Sequence, residues 1–344
     1  MLFLPTLKKI IFVGMYLISA VALFACSSNS SDMVEMKLVN KSLPTNQLSI
    51  VTYNNKFVGH YKLKDNEAIA NILSNYDLVF IQELVAPPYD GSYPNGKKYR
   101  SDPESKGFFE GMISAGFNYV LSEEDTGASS TNHSSTTSTE WFVAFYKPGI
   151  VQPKPSLIQG FVDLDRSNND VFDRVPYAFS FKHIKTKTDF VVISTHLAAG
   201  ASPTDGLKRS RELDRIYSWV ESNKDKDDNF IILGDMNFKN CAEISSSVSD
   251  DYNALNKGIN CKKTNVSNNP KPYDNVLILK TNNTDIKYIP GIEVVELRDK
   301  MLEFWPEDSQ AHYPGDPYDG NKFSQYYSDH NPVLFYISTY SDTD

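Results

Sequence analysis

Four short polar clusters, each at the end of an apolar run, hold the groups in this chain that can do chemistry. They are Ile81-Gln82-Glu83, Ser194-Thr195-His196, Gly234-Asp235-Met236-Asn237 and Ser328-Asp329-His330-Asn331-Pro332. Beside them, Phe80-Ile81, Val191-Val192-Ile193, Phe230-Ile231-Ile232-Leu233 and Val333-Leu334-Phe335 read as buried strands. A strand that ends in carboxylate, amide and imidazole groups presents them at one rim of a sheet, where a rigid scaffold holds a reactive site. Glu83, Asp235, Asn237 and Asp329 offer hard oxygen ligands, which suit Mg²⁺ better than zinc. His196 and His330 titrate near neutral pH. A hard cation with two imidazoles is equipment for hydrolysing a phosphate ester.

The elements that must position these groups follow from hydrophobic spacing. Strands are expected at 48–53, 77–82, 141–146, 177–181, 190–195, 230–234, 275–279 and 332–337. Helical spacing marks 66–75, 107–115 and 208–220, the first with Ala68, Ile69, Ile72 and Leu73 on one face and the last with Leu213, Ile216, Tyr217 and Val220. Segments 89–102 and 122–139 read as loops. Strand follows strand with helices interspersed, without a regular βαβ alternation. The expected class is α+β: a four-layer α/β/β/α sandwich of two packed mixed β-sheets flanked by helices.

Composition is that of a globular protein with a sizeable core, at 40% apolar and 22% charged residues. The net charge of −9 counts against a protein that grips nucleic acid mainly through its overall field. It leaves room for an enzyme with a bound cation and a local basic strip. The N-terminus reads as a targeting segment: Lys8-Lys9, then an apolar stretch at 10–23 that is short for a membrane span. Leu23-Phe24-Ala25-Cys26 resembles the lipobox of bacterial lipoproteins, in which the cysteine is lipidated. The expectation is a signal peptide at 1–25, a Ser- and Asn-rich tether at 26–47 and a catalytic domain at 48–344. That makes an exported outer-membrane or cell-surface lipoprotein, held to the membrane through Cys26 or released. With Cys26 lipidated, Cys241 and Cys261 remain as a pair in a disulfide-permissive compartment. A bridge between them would close a loop of about 20 residues, worth roughly 3 kcal/mol.

In order along the chain, the motifs resemble those of the endonuclease/exonuclease/phosphatase superfamily, in its deoxyribonuclease I-like branch. They are Thr52-Tyr53-Asn54, Gln82-Glu83, Glu140 before an aromatic strand, Arg174-Val175-Pro176, Thr195-His196, Gly234-Asp235-Met236-Asn237, Tyr273-Asp274-Asn275 and Ser328-Asp329-His330. The resemblance implies Mg²⁺ (Mn²⁺ or Ca²⁺ as alternatives) on Glu83 with Asp235 and Asp329. It implies a catalytic set of His196, His330, Glu140, Asp274, Asp235 and Asn237. His196 would be the acid, oriented by Glu140, and His330 the base, with Asp274 on its side. Arg174 and Asn54 would hold the substrate phosphate, and Cys241–Cys261 would be the branch's structural disulfide. DNA is then the expected substrate and a monomer the expected state. Val85 stands where these deoxyribonucleases carry a basic residue, and Tyr93, Lys97, Lys98, Tyr99 and Arg100 form a basic-aromatic strip that can substitute. The competing readings are a sphingomyelinase- or inositol-phosphatase-like enzyme of the same superfamily, and a non-catalytic surface lipoprotein. His60, His133, His183 and His312 match no motif.

Overall fold

The structure, a computed structural model, describes residues 43–127, 139–163, 170–301 and 320–342. The expected signal peptide and tether up to residue 42, Cys26, His133, His312 and most of the 122–139 loop lie outside the described residues. In chain order the elements begin with β1 (Gln47–Val58), α1 (Asn66–Leu73), β2 (Leu78–Leu84), β3 (Gly91–Ser92), β4 (Lys98–Tyr99) and α2 (Pro103–Ser114). Then come β5 (Asn118–Leu121), β6 (Trp141–Tyr146), β7 (Val151–Pro153), β8 (Gly160–Phe161), β9 (Tyr177–His183) and β10 (Asp189–His196). Next are α3 (Pro203–Glu221), β11 (Phe230–Asp235), α4 (Cys241–Ser247), β12 (Tyr252–Ala254) and β13 (Asp274–Leu279). The last are β14 (Ile286–Tyr288), β15 (Glu293–Val294), α5 (Leu297–Met301), α6 (Gly320–Tyr326) and β16 (Val333–Thr339).

Two seven-stranded mixed sheets pack together, as the sequence led us to expect. One runs β14-β16-β1-β2-β6-β5 with β15 on β16, and the other runs β12-β13-β11-β10-β9-β7 with β8 on β9. Successive residues of a strand point to opposite faces. In β1, Leu48 and Ile50 join the core shared with the second sheet, while Val51 and Tyr53 join the core shared with α1 and α2. Both faces are therefore covered, which is why these strands read as continuous apolar runs. Phe80 of β2 meets Phe179 and Phe181 of β9 across the sheets, at ring distances of 5.6 and 6.2 Å. Gln82 is the polar tie between them: it donates from Nε2 to Ser194 Oγ at 3.1 Å and accepts from Thr52 at 3.2 Å.

Strand direction explains the site. Each sheet has one parallel pair, β1 with β2 and β10 with β11. The C-terminal ends of those four strands carry Asn54, Glu83, His196 and Asp235. The neighbours β16, β6, β13 and β9 run antiparallel, so their N-terminal ends return to the same rim. That brings in His330 and Asp329 before β16, Glu140 before β6, Asp274 at the start of β13 and Arg174 before β9. Among the described residues no helix is long and apolar enough to cross a membrane.

Candidate active site

The centre of the site is Asp235, buried at the end of β11. Gly234 before it has φ +142°, and a Cβ there would come within 1.9 Å of Thr195 O on the neighbouring strand. Only glycine lets β11 lie this close to β10 at the point where His196 pairs with Asp235 in register. Two imidazoles converge on a single oxygen: His196 Nε2 and His330 Nε2 each stand 3.5 Å from Asp235 Oδ2. Each ring is backed by a carboxylate on its far nitrogen. His196 Nδ1 lies 2.7 Å from Glu140 Oε1, and His330 Nδ1 lies 2.9 Å from Asp274 Oδ2. All five side chains are buried.

These charges set one another. Burial alone would lower both imidazole pKa values, but the facing carboxylates outweigh it. His196 ends above its usual value, with Arg174 opposing the rise, and His330 ends well above. Burial pushes Glu140 up, yet His196 and Arg174 hold it below the usual carboxylate range. Asp235 is held down in the same way, against burial, by His330 and His196. Asp274 stays raised, because burial there exceeds the pull of His330.

Arg174 extends the first of these pairs. Its Nε is 2.6 Å from Glu140 Oε1 and its side chain is 14% exposed. Its Nη1 is buried with no hydrogen-bond partner. An unsatisfied guanidinium donor aimed at such a rim suits an anionic oxygen.

Carboxylates gather beside Asp235. Asn54 Nδ2 donates to Glu83 Oε1 at 2.8 Å and to Asp235 Oδ2 at 3.0 Å, so one amide bridges the two carboxylates. Among the described residues Glu83 Oε2 accepts a backbone N–H, from Phe57 at 3.0 Å. Burial raises the Glu83 pKa, His196 opposes the rise and Glu140 adds to it. The backbone is strained here: Glu83, Lys56, Phe57 and Asn237 all have positive φ, between 24° and 61°. Asp235, Asp274 and His330 also offer ligand atoms within 4.8 Å of one another. In that trio, Asp274 Oδ2 already accepts from Thr264 at 2.5 Å and faces His330. Glu83, Asp235 and Asp274 offer hard oxygen ligands of the kind that hold a divalent cation.

Most residues expected from the sequence meet at this rim. Asp329 lies near enough to raise the Glu83 and His330 pKa values, and its half-exposed carboxylate pairs with Lys56 Nζ at 3.0 Å. Asn54 lies between the acids. Asn237 supports the turn, donating its N–H to Asp235 Oδ1 at 2.9 Å and its Nδ2 to Leu197 O at 3.0 Å. Cys241 and Cys261 form a disulfide. The 89–102 segment is not all loop. Its β3–β4 hairpin seats Tyr93 and Tyr99 on Trp141, with ring distances of 5.8 and 4.9 Å. Those half-buried tyrosines pack inward, leaving Lys97, Lys98 and Arg100 exposed. His183 is a core residue bonded to Thr339, and His60 packs against Phe57 and Tyr61.

Sequence reasoning missed a second layer. Glu212, fully buried on α3, accepts the N–H groups of Ala198 at 2.7 Å and Asp173 at 2.9 Å. It ties the loop after His196 to the loop bearing Arg174, and burial pushes its carboxyl up to about 7. Arg209, one turn earlier, bonds Glu243 and the carbonyls of Ala198 and Gly200. A visible signal existed: both charges fall on the apolar face with Leu213 and Ile216.

No family model and no curated protein matches this chain. Solved structures do. The catalytic domain of human Nocturnin, with a bound sulfate anion, is 13% identical at a TM-score of 0.54, over 86% of this chain and 95% of that one. D. rerio TDP2, complexed with a single-strand DNA product, is 13% identical at 0.52, over 85% and 99%. A protein of unknown function from Enterococcus faecalis is 13% identical at 0.52, over 85% and 100%. Likeness at this identity concerns the fold alone: the chain shares the two-sheet sandwich of these structures.

Proposed function

We propose that this chain is an exported, Mg²⁺-dependent phosphodiesterase that cuts DNA with little sequence preference. The observation that carries the reading is the convergence of His196 and His330, each backed by a carboxylate, on one oxygen of Asp235. Hydrolysis of a phosphodiester needs a proton taken from water on one side of phosphorus and a proton given to the leaving oxygen on the other. Two imidazoles that share a buried anion can hold those two roles. Glu140 and Asp274 orient the rings and favour their charged forms. Arg174 would hold a non-bridging phosphate oxygen through Nη1. Glu83 and Asp235 would hold the cation, with Asn54 spacing them and Asp329 nearby. When bound, such a cation polarises a phosphoryl oxygen and neutralises charge.

Support for DNA is twofold. A structure of the same fold, D. rerio TDP2, is complexed with a single-strand DNA product. Lys97, Lys98 and Arg100 also give an acidic chain a local cationic edge, on a hairpin seated against Trp141 beside Glu140. Export, lipid anchoring at Cys26 and a monomeric state belong to the same reading and rest on the N-terminal pattern and the cysteine pairing. Nicking of supercoiled plasmid by the chain from Ser27 onward tests it, with Mg²⁺ and EDTA lanes beside His196→Ala. Metal-dependent nicking that the variant loses is expected. A folded, Mg²⁺-supplied protein that leaves plasmid intact would refute the reading and turn attention to sphingomyelin or inositol phosphates.

A further inference from the structure

Lys239 is a cation that the acid–base machinery does not use. It lies two residues past Asn237, in the turn that follows β11. Its ammonium is 3.4 Å from Asn237 Oδ1 and 4.4 Å from the centre of the Tyr273 ring. The Tyr273 ring in turn lies 5.6 Å from that of His330, tilted by 30°. The backbone N–H of Lys239 donates to Glu243 Oε2 at 2.8 Å, which fixes where the side chain starts.

Other cations at this rim are neutralised. Lys56 pairs with Asp329, Arg209 with Glu243 and Arg174 with Glu140. Lys239, half-buried, forms no ion pair among the described residues. A held ammonium next to an amide oxygen and an aromatic face, in the field of Asp235 and Glu243 but in no ion pair among the described residues, has donor capacity left for an anion. Tyr273 bounds it on the His330 side, Asn237 ties back to Leu197 O next to His196 at 3.0 Å, and Arg174 stands beside Glu140. A phosphate under attack beside Asp235 would sit between the two imidazoles, and Lys239 stands against the far ring of the Tyr273–His330 pair.

We propose that Lys239, backed by Tyr273 and Asn237, forms a second anion subsite that takes the phosphate adjoining the one being cut. The substrate class is then a molecule with at least two phosphates in series, as along a nucleic-acid strand. The inference rests on the phosphodiesterase reading and narrows it. Lys239 is a positioning residue here, acting on substrate placement.

The test compares Mg²⁺-dependent hydrolysis of a dinucleoside monophosphate with that of the same molecule bearing a terminal phosphate at either end. Wild type, Lys239→Met and Lys239→Arg are assayed, and methionine keeps the buried methylenes. Wild type should prefer a phosphate-bearing substrate by about tenfold in kcat/KM, mainly through KM, the scale of one charge-assisted hydrogen bond. Lys239→Met should bring that preference close to one, and Lys239→Arg should keep most of it. A preference that survives in Lys239→Met, or is absent in wild type, overturns the subsite. Calorimetric binding of inorganic pyrophosphate runs in parallel and needs no turnover. Equal affinity in wild type and Lys239→Met also overturns the subsite. Wild type that binds pyrophosphate in a Lys239-dependent way but hydrolyses neither substrate overturns the phosphodiesterase reading instead.

Discussion

His196 and His330 stand in mirrored settings around Asp235, yet their partners are held differently. On the His196 side, Glu140 also faces Arg174 and accepts the Glu83 N–H at 3.1 Å. On the His330 side, Asp274 has no arginine. It accepts from Thr264, and its Oδ1 is buried without a partner. The first carboxylate therefore divides its charge between two cations, and the second gives it to one imidazole. The outcome is visible in the pKa directions: Glu140 falls and Asp274 rises, and His330 stands well above its usual value. In the metal-free site His330 holds its proton more firmly, whereas the sequence led us to expect His196 as the acid. Similar geometry with unequal charge is how one fold separates two proton-transfer roles.

Breaking the shared member should cost most. Asp235→Asn removes the anion common to both halves, and the plasmid-nicking rate should fall on the order of 10³-fold or more. The halves should then respond unequally. Glu140→Gln releases His196 and Arg174 together, so initial rates should drop on the order of 10³-fold, against about 10²-fold for Asp274→Asn. Equal losses would show that Arg174 adds nothing to its side.

The asymmetry should also appear in stability against pH. The folded pKa of His330 is raised, so its pairing stabilises fully below the unfolded value of about 6.5 and is lost as pH rises through the folded value. Glu140 is lowered, so its contribution is present above about 4.3 and is lost as pH falls through the folded value. Urea midpoints of the metal-free protein should therefore decline on the alkaline side, and His330→Gln should flatten that decline. An unchanged alkaline slope in the variant would assign the decline elsewhere. The smallest effect should come from Cys241→Ser with Cys261→Ser. Losing a cross-link over a separation of 20 residues costs about 3 kcal/mol of unfolding free energy. Activity at low temperature should change less than tenfold, because Thr264, outside the cross-linked loop, bonds both the N–H and the carboxylate of Asp274.

Long central strands were legible because both of their faces are buried and the apolar run stops at a polar cluster. β6 at 141–146 matches the expected bounds, and β2, β10, β11 and β13 lie within one or two residues of theirs. Short edge strands such as β7, β8, β12, β14 and β15 were not, since two or three residues carry no periodicity. The start of α3 was missed by five residues, although Ser202, Pro203 and Asp205 spell a capping box with proline in the first turn. Within the site, the types and order of His196, His330, Glu140, Asp274, Asp235 and Glu83 were readable from strand ends. Their convergence on one oxygen of Asp235 was not, because it depends on strand direction across two sheets. Glu212 escaped for a related reason: it joins two loops that are far apart in sequence.

The most direct measurement is the initial rate of Mg²⁺-dependent plasmid nicking by His196→Ala, His330→Ala and the double variant, each checked for folding. The account predicts that either single substitution lowers the rate on the order of 10²-fold to 10⁴-fold, and that the double is little worse than the poorer single, because the two imidazoles act as a unit. A single variant that nicks at the wild-type rate would contradict it.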